Sequence, residues 1–405
     1  MTESAAVSRS PALDEPQAPR RSFVRHIYYV PGFFMGGPRF YRLTLASEAI
    51  RHGRAHGVEV KMTDEGEHAT DGMVPRFILR AKRPDRDVDV RYALLRWEDI
   101  VLDYLARPWS WRIRAGAATF VDYVGSGTLT RMFKLMRRFA IAWVMPFIYY
   151  PLAMILIAVV GLLVHGAGRA AGLEAGAFLL ALLSSALALM AVGQFGRFAY
   201  GYLILNDLIF SREIALNRTP ELWARLDAFA DHVSASLDRP EVDEVVVIGH
   251  SFGACLAPLV VARLADRHGD ALARSRVTLM TLGGSLPLIG LHRKATRFRQ
   301  ALQQASALPT VTWIDVSSSY DAMNFKRFDP ISFFKLHDPA KGTRSPQIID
   351  TRFGQHQGGG FFAKWNLMRV HMQFLKSTER REGYDYPGLI TGAVPIPEAL
   401  ADVKR

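Results

Sequence analysis

A serine between two glycines is the first feature of this sequence that can do chemistry. Ser251 stands in the stretch GHSFG (249–253). The β-branched run 245–248 before it predicts a strand, and the periodic run 252–266 after it predicts a helix. A hydroxyl on so tight a turn projects above the end of a sheet, where it can attack a carbonyl carbon. The flanking glycines remove the clashes that such a turn creates.

The helix predicted after Ser251 would stabilise negative charge at the same place. The N-terminus of a helix carries a partial positive charge. The backbone N–H of Phe252, in the first turn, can therefore donate a hydrogen bond to a developing oxyanion. Ser251 and Phe252 are the first two candidate site residues.

The elements around this turn follow an α/β pattern. Residues His26–Gly32 predict a buried strand, and Pro38–Arg54 predict a helix with proline in its first turn. Alternating strands and helices predict a mostly parallel sheet with helices on both faces. The other predicted strands are 58–62, 76–82, 90–97, 244–248, 277–283, 311–317 and 346–350, with 76–82 and 90–97 as a hairpin, and the other predicted helices are 219–237, 252–266 and 294–305.

Two uncharged apolar segments interrupt this pattern. They cover residues 139–164 and 175–195. Each has about the 20 residues that a helix needs to cross the hydrocarbon core of a bilayer. The short link between them predicts a two-helix transmembrane hairpin. The alternative is a pair of buried core helices in a soluble protein.

The basic residues beside these segments predict an orientation. Arg131, Lys134, Arg137 and Arg138 precede the first segment and Arg197 follows the second. Positive charge favours the cytoplasmic side. We therefore expect a multi-pass protein of the inner, cytoplasmic membrane, with both termini and the α/β domain in the cytoplasm.

Composition narrows the class of protein further. The chain has 405 residues and a net charge of +12, which suits an anionic membrane surface. No base-reading motif or zinc-type cluster of cysteine and histidine stands out, so we expect no nucleic-acid partner. The single cysteine, Cys255, excludes an internal disulfide and is expected to be a buried packing residue.

These observations divide the chain into five parts. Residues 1–22 lack a signal-peptide core and are expected to be a disordered tail. One α/β domain is expected in two parts, 23–130 and 201–392, with the transmembrane hairpin at 131–200 between them. Residues 393–405 are expected to be a second tail.

With GHSFGA (249–254) as its strand-to-helix turn, the sequence resembles the α/β-hydrolase superfamily. The resemblance covers roughly 24–60 and 220–380. The hairpin before the serine turn departs from it, because lids in this superfamily more often follow that turn. The segments WIDVSSSYDAMNF (313–325) and RVHMQFL (369–375) further resemble poorly characterised membrane-bound bacterial hydrolases of the lipase or esterase kind.

The resemblance implies a catalytic acid and then a histidine after the serine. Asp321 is the first candidate for the acid, because it lies in a loop after a predicted strand, and Asp315 within that strand is the alternative. Asp329 is expected to be a cap or turn residue. For the base, the resemblance favours His371, and His356 remains an alternative.

Three other histidines receive different interpretations. The order implied by the resemblance excludes His26 and His250 as the base. We expect His250 to be structural or to line the substrate pocket. His337 is expected in a surface turn.

A second oxyanion donor is expected from the glycine-rich turn after the first strand. Phe33 is the first candidate and Phe34 the next. The alternative is that the glycines of this turn only shape the connection. No metal or organic cofactor is expected.

The expected reaction is hydrolysis of a carboxylic ester by Ser251, His371 and Asp321. The transmembrane hairpin suggests an acyl ester or lipid substrate drawn from the bilayer, and the aromatic stretch 323–335 is a candidate entrance. An acyltransferase with the same serine and a non-catalytic membrane scaffold are the alternative functions. The oligomeric state, like the identity of the acyl group, is left open by the sequence.

Overall fold

An eight-stranded sheet forms the centre of the protein. The computed structural model describes residues 21–33, 36–64, 73–198, 201–351, 367–378 and 384–401. The strands are β1 (Phe23–Val30), β2 (Glu59–Asp64), β3 (Arg76–Lys82), β4 (Val88–Leu94), β5 (Glu244–His250), β6 (Val277–Leu282), β7 (Val311–Ser317) and β8 (Gln347–Asp350).

The strand order is β2-β3-β4-β1-β5-β6-β7-β8. Six neighbouring strands, from β4 to β8 in that order, are parallel, and β3 is antiparallel to both of its neighbours. The predicted α/β class with a mostly parallel sheet is confirmed, and so is the β3–β4 hairpin. The carboxyl ends of β1, β5, β6, β7 and β8 therefore meet at one edge of the sheet.

Helices cover both faces of the sheet. Every residue of β5 and β6 is buried, as expected for apolar parallel strands with a helical layer on each side. One core lies between the sheet and the helices that precede and follow β5, and the other packs the sheet against the first helix and the C-terminal segment. The predicted helices on both faces are thus present.

Fifteen α-helices are found in the part of the chain that the structure describes. They are α1 (Pro38–His56), α2 (Glu98–Ala106), α3 (Trp109–Gly125), α4 (Thr128–Leu135), α5 (Arg137–Ala170), α6 (Glu174–Phe198), α7 (Gly201–Ala215), α8 (Pro220–Ser234), α9 (Gly253–Arg274), α10 (Leu286–Gly290), α11 (Thr296–Ala307), α12 (Pro330–Phe333), α13 (Leu367–His371), α14 (Tyr386–Ile390) and α15 (Ile396–Ala399).

Helices α5 and α6 form an antiparallel pair over the two apolar segments. Tyr149 on α5 donates to the carbonyl of Val192 on α6 at 2.6 Å. By length and composition both helices can cross a membrane, and only 6% of the most apolar stretch of each is buried in the protein. This exposure does not fit the alternative of two buried core helices.

The first turns of α5 belong to the core rather than to the exposed pair. Phe139, Ala140 and Trp143 are buried. The rings of Phe139 and Trp143 stack at 4.0 Å, and Phe139 also contacts Phe325 at 4.0 Å. The base of the helical pair is therefore joined to the loop that follows β7.

The expectation of a tail over 393–405 is wrong as far as residue 401. Ile396 and Leu400 are buried in the second core. Buried Arg25 donates to four carbonyls between residues 389 and 394 and to Glu244, whose other oxygen accepts from the Ile396 N–H at 2.9 Å. Contacts with distant strands thus hold this segment. Of the tail expected at 1–22, residues 1–20 lie outside the described residues.

Candidate active site

Ser251 occupies a strained turn between β5 and α9. Its φ is +60°, a left-handed conformation that is costly for a residue with a side chain. A Cβ on Gly249 would lie 2.2 Å from the Gly253 carbonyl oxygen, and a Cβ on Gly253 would lie 2.1 Å from that of Val30. Both positions therefore need glycine, as the sequence predicts for a turn that raises Ser251 above the sheet.

Two backbone N–H groups are available beside this serine. Gly32 lies against Ser251, since a Cβ on Gly32 would come within 2.8 Å of the Ser251 Cβ. Among the described residues, the N–H groups of Phe33 and Phe252 donate to no partner. The rings of Phe33 and Phe252 contact each other at 5.8 Å, and both contact Trp97. These aromatic contacts hold the turn after β1 beside the start of α9.

A buried carboxylate and a buried imidazole form a pair at the same edge of the sheet. Asp321 Oδ2 and His371 Nδ1 are 2.6 Å apart, and both side chains are almost fully buried. Asp321 lies in the loop after β7, and His371 ends α13 after β8. The carboxylate accepts from Nδ1–H, so the neutral ring presents an unprotonated Nε2.

The loop that carries Asp321 is fixed by its own hydrogen bonds. Asp321 Oδ1 accepts from the Met323 N–H at 2.8 Å. Buried Asn324 donates to the carbonyls of Ser318 and Asp321, at 2.9 and 2.7 Å, and accepts from the Ser318 N–H. The position of the carboxylate is thus set before any substrate binds.

His250 supports His371 from the serine turn. The rings stack with centroids 4.9 Å apart, and His250 Nε2 is 3.3 Å from the His371 carbonyl oxygen. Burial, and then the neighbouring His371, keep the pKa of His250 well below its ordinary value. A neutral His250 therefore adds no positive charge beside His371, and its expected structural role fits these contacts.

Ser251 and His371 line one cavity, but no hydrogen bond joins them in this structure. In the described part of the chain, His371 Nε2 is buried and has no partner. Nucleophile and base are often loosely placed before substrate binds. The cavity is thus lined by a serine, a carboxylate-backed histidine and Phe33, and Phe252 directly follows the serine in the chain.

Apolar side chains from four parts of the chain wall this cavity. Trp143 comes from the base of α5, and Leu203 and Ile204 come from α7. Met323 from the loop after β7 and Met368 from α13 also line the cavity. Methionine side chains adapt to ligands of varied shape.

The alternative acid, Asp315, has a different partner. Thr281 Oγ1 donates to Asp315 Oδ1 at 2.6 Å on the neighbouring strand. Burial raises the pKa of Asp315 to about 7. The structure therefore places Asp315 within the sheet and Asp321 against His371.

The remaining sequence candidates are placed as follows. Asp329 caps α12 by accepting from Ile331 N–H at 2.9 Å, so its expected role as a cap is confirmed. His337 lies 3.1 Å from the Thr343 hydroxyl, in the segment before β8. His356 and Phe34 lie outside the described residues.

Cys255 is buried, as expected of a packing residue. Its sulfur lies 3.6 Å from the Ser285 hydroxyl, and burial raises the pKa of the thiol to about 12. Such a thiol stays protonated at neutral pH and is a poor nucleophile.

Of the aromatic stretch 323–335, Phe325 and Phe328 are buried in the core. Only Met323 of this stretch lines the serine cavity among the described residues. The stretch contributes mainly to packing, and one residue reaches the cavity.

The serine cavity is also lined by a carboxyl that was not predicted from the sequence. Asp207 on α7 is partly exposed to this cavity and accepts one hydrogen bond, from Ser211 at 3.3 Å. Burial raises its pKa to about 8, because no cation lies beside it among the described residues to stabilise the charge. The polar residues Asn206, Asp207 and Ser211 within apolar α7 are the signal that could have indicated it.

One group of side chains has the composition of a metal site. Ligand atoms of His52, His56 and Asp385 lie within 4.8 Å of one another. His52 Nδ1 already pairs with Asp385 at 2.8 Å, its Nε2 lies 3.4 Å from the Arg83 guanidinium, and His56 pairs with the Thr378 carbonyl. These bonds tie α1 to the C-terminal segment without a metal, and the nearby guanidinium opposes a cation.

Comparison with known proteins finds no family model, no curated protein and no solved structure that matches this chain.

Proposed function

We propose that this protein is a serine hydrolase of the α/β-hydrolase superfamily that cleaves a carboxylic ester of a lipid-like acyl substrate. The observation that carries the proposal is the buried pair Asp321–His371, whose histidine lines the same cavity as Ser251 on its strained turn. Their chain order is serine, acid, histidine, and each follows the carboxyl end of a parallel strand.

The proposed mechanism assigns one role to each group. His371 Nε2 takes the proton of Ser251 as the hydroxyl attacks the acyl carbon. Asp321 holds the ring through Nδ1–H and stabilises its charged form. The N–H groups of Phe252 and Phe33 stabilise the oxyanion. His371 then protonates the leaving alcohol, and water activated by the same imidazole releases the acid.

The walls of the cavity support a lipid-like substrate. Trp143 belongs to the base of the exposed apolar pair α5–α6, and Leu203 and Ile204 follow that pair directly. In the proposal the pair spans the inner membrane, and the α/β domain faces the cytoplasm, as the basic residues at its base favour. A reactive cavity at this base receives acyl chains from the bilayer.

The proposal is tested by hydrolysis of p-nitrophenyl esters with the whole protein in detergent micelles. We expect the wild-type protein to cleave these esters, preferring longer acyl chains. Ser251→Ala should lose at least about 10³-fold in kcat. Ser285→Ala, which changes another serine of the same cavity, is the matched control and should keep most of the activity. Equal activity of Ser251→Ala and wild type would contradict the proposal.

The missing bond between Ser251 and His371 favours one alternative, a non-catalytic scaffold on the same fold. This alternative predicts no ester cleavage by any variant. The acyltransferase alternative is separated by product analysis with added alcohols. If the acyl group passes to the alcohol in preference to water, the protein is an acyltransferase that uses the same serine.

Membrane topology is tested separately with reporter fusions. A reporter that works only in the cytoplasm should be active when fused to the C-terminus. A reporter that works only outside the cytoplasm should be active when inserted in the link 171–173. The opposite pattern would overturn the proposed sidedness and leave the hydrolase proposal standing.

A further inference from the structure

A second polar cavity shares no lining residue with the serine cavity. Three arginines and one histidine converge on it: Arg76, Arg91, Arg239 and His26, with Ser236 beside them. Among the residues that the structure describes, the lining includes no carboxylate side chain. A cavity built from cations in this way attracts an anion.

The register of the sheet brings these residues together. His26 on β1 lies opposite Arg91 on β4, and Arg91 lies opposite Ile78 on β3. Because side chains alternate between the faces of a strand, Arg76, two positions before Ile78, is on the same face as Arg91. Ser236 and Arg239, just after α8, approach that face.

Two of the three guanidinium groups have no partner among the described residues. The side chains of Arg76 and Arg91 form no hydrogen bond and no ion pair there. Arg239 donates to the Ala235 carbonyl at 2.5 Å and lies 3.8 Å from Glu241. By contrast, Arg80 on the same face of β3 pairs with Asp89 at 3.5 Å. The guanidinium charges of Arg76 and Arg91 at the cavity are thus not neutralised by a carboxylate, whereas that of the neighbouring Arg80 is.

A buried imidazole with a free nitrogen completes the cavity. His26 Nδ1 is 2.5 Å from the Ser236 hydroxyl, which is 2.6 Å from the Tyr28 hydroxyl. His26 Nε2 is buried and has no partner in the described part of the chain. Burial, and then Arg91 and Arg239, lower the pKa of His26 to about 4.

We propose that this cavity binds a phosphoryl group, and this proposal does not depend on the hydrolase proposal. The planar guanidinium groups of Arg76 and Arg91 can each donate two hydrogen bonds to phosphoryl oxygens, and Arg239 offers the positive charge of a third guanidinium. The group belongs to a free phosphorylated small molecule or to the headgroup of a phospholipid.

The test is isothermal titration calorimetry of the whole protein in detergent micelles. The soluble probes are inorganic phosphate and glycerol 3-phosphate, and the lipid probe is short-chain phosphatidylglycerol, with short-chain phosphatidylcholine as its comparison. We expect Arg76→Gln and Arg91→Gln each to weaken binding at least tenfold. Arg80→Gln removes one charge from the same face but outside the cavity, and should bind as the wild type does.

The probes separate the two sources of the phosphoryl group. Tight binding of glycerol 3-phosphate assigns the cavity to a free ligand, and binding of phosphatidylglycerol alone assigns it to a headgroup. The proposal is overturned if no probe binds, or if binding is unchanged in Arg76→Gln and Arg91→Gln. Circular dichroism of both variants should match the wild type, since Arg91 is exposed and Arg76 is partly exposed.

A second readout reports on the cavity itself. The charged groups that act on His26 are Arg91, Arg239 and Arg76, which lower its pKa, and Glu241, which raises it. A bound phosphoryl anion offsets the arginines, so the pKa of His26 should rise when phosphate saturates the protein. Histidine NMR in the presence and absence of phosphate measures this shift, with the signal assigned from His26→Gln. An unchanged pKa at saturation would place the anion elsewhere and overturn the proposal.

Discussion

The buried histidines His371 and His26 each have an Nε2 atom without a partner among the described residues, but the charges around the two rings have opposite signs. In the described part of the chain, each ring has a buried Nε2 without a partner. His371 has a carboxylate 2.6 Å from Nδ1, whereas His26 has a hydroxyl there and three arginines nearby. The Asp321 carboxylate orients the His371 ring, and burial and the arginines lower the pKa of His26. The neighbours therefore fit His371 for accepting a proton and His26 for a site that binds an anion.

The largest effect expected from this comparison is on the two rings themselves. His371→Gln should lower kcat for ester hydrolysis by at least about 10³-fold, because the base is lost. His26→Gln should keep activity within about threefold of the wild type, since His26 belongs to the other cavity. Steady-state kinetics with a p-nitrophenyl ester measures both. A similar loss of kcat in the two variants would contradict the assignment of His371 alone as the base.

The next effect separates the two candidate acids. Asp321→Asn should lower kcat by about 10²–10⁴-fold, because the amide leaves His371 in the wrong tautomer. Asp315→Asn changes a carboxyl that contacts Thr281 instead and should leave kcat nearly unchanged. The same assay compares them. If Asp315→Asn were the more damaging change, the assignment of the acid would be wrong.

A smaller effect concerns stability and pH. The folded-state pKa of Asp315 is raised to about 7, so the unfolded chain releases this proton at lower pH than the folded protein does. Asp315 therefore contributes a loss of stability that grows as pH rises from about 4 to about 7. Asp315→Asn should remove this loss and be more stable than the wild type at pH 8, by on the order of 4 kcal/mol.

Thermal unfolding of both proteins in detergent, from pH 4 to pH 8, measures the difference. The wild-type curve should fall relative to that of the variant over this range. Parallel curves would show that Asp315 ionises normally.

The smallest effect concerns the carboxyl within the serine cavity. The pKa of Asp207 is raised to about 8, so its negative charge forms mainly above that pH. This charge opposes the oxyanion by about 1–2 kcal/mol, or roughly tenfold in rate. The wild-type rate should therefore decline above pH 8, while Asp207→Asn should not decline. A pH–rate profile of both proteins measures this difference, and the same decline in both above pH 8 would contradict the prediction.

Local sequence patterns predicted most of the central sheet. The β-branched runs of β5, β6 and β7 and the glycines around Ser251 have structural consequences within a few residues, so a single stretch indicates them. The segment after 393 is fixed by Arg25, which donates to the Val394 carbonyl, and by Glu244, which accepts from the Ile396 N–H, and both are far away in sequence. No local pattern there indicated a folded segment.

The candidate site divides in the same way. Ser251 and its turn follow from local sequence, and Asp321 was preferred over Asp315 because it lies in a loop after a predicted strand. The order of acid and base after the serine, and the preference for His371, came from a family resemblance. Helices α2, α3, α4 and α7 were not predicted, and with them Asp207 was missed. The arginine cavity was missed because β3, β4 and the segment after α8 each contribute one arginine, and only the fold brings these together.

Covalent labelling of Ser251 is the sharpest test of its role as the nucleophile. The whole protein in detergent is treated with a fluorophosphonate, and the adduct is mapped by mass spectrometry of its peptides. The account predicts one adduct on Ser251 in the wild type, its loss in Ser251→Ala and in His371→Gln, and its retention in Ser285→Ala. An unlabelled wild-type protein, or an adduct on Ser285 instead, would contradict the account.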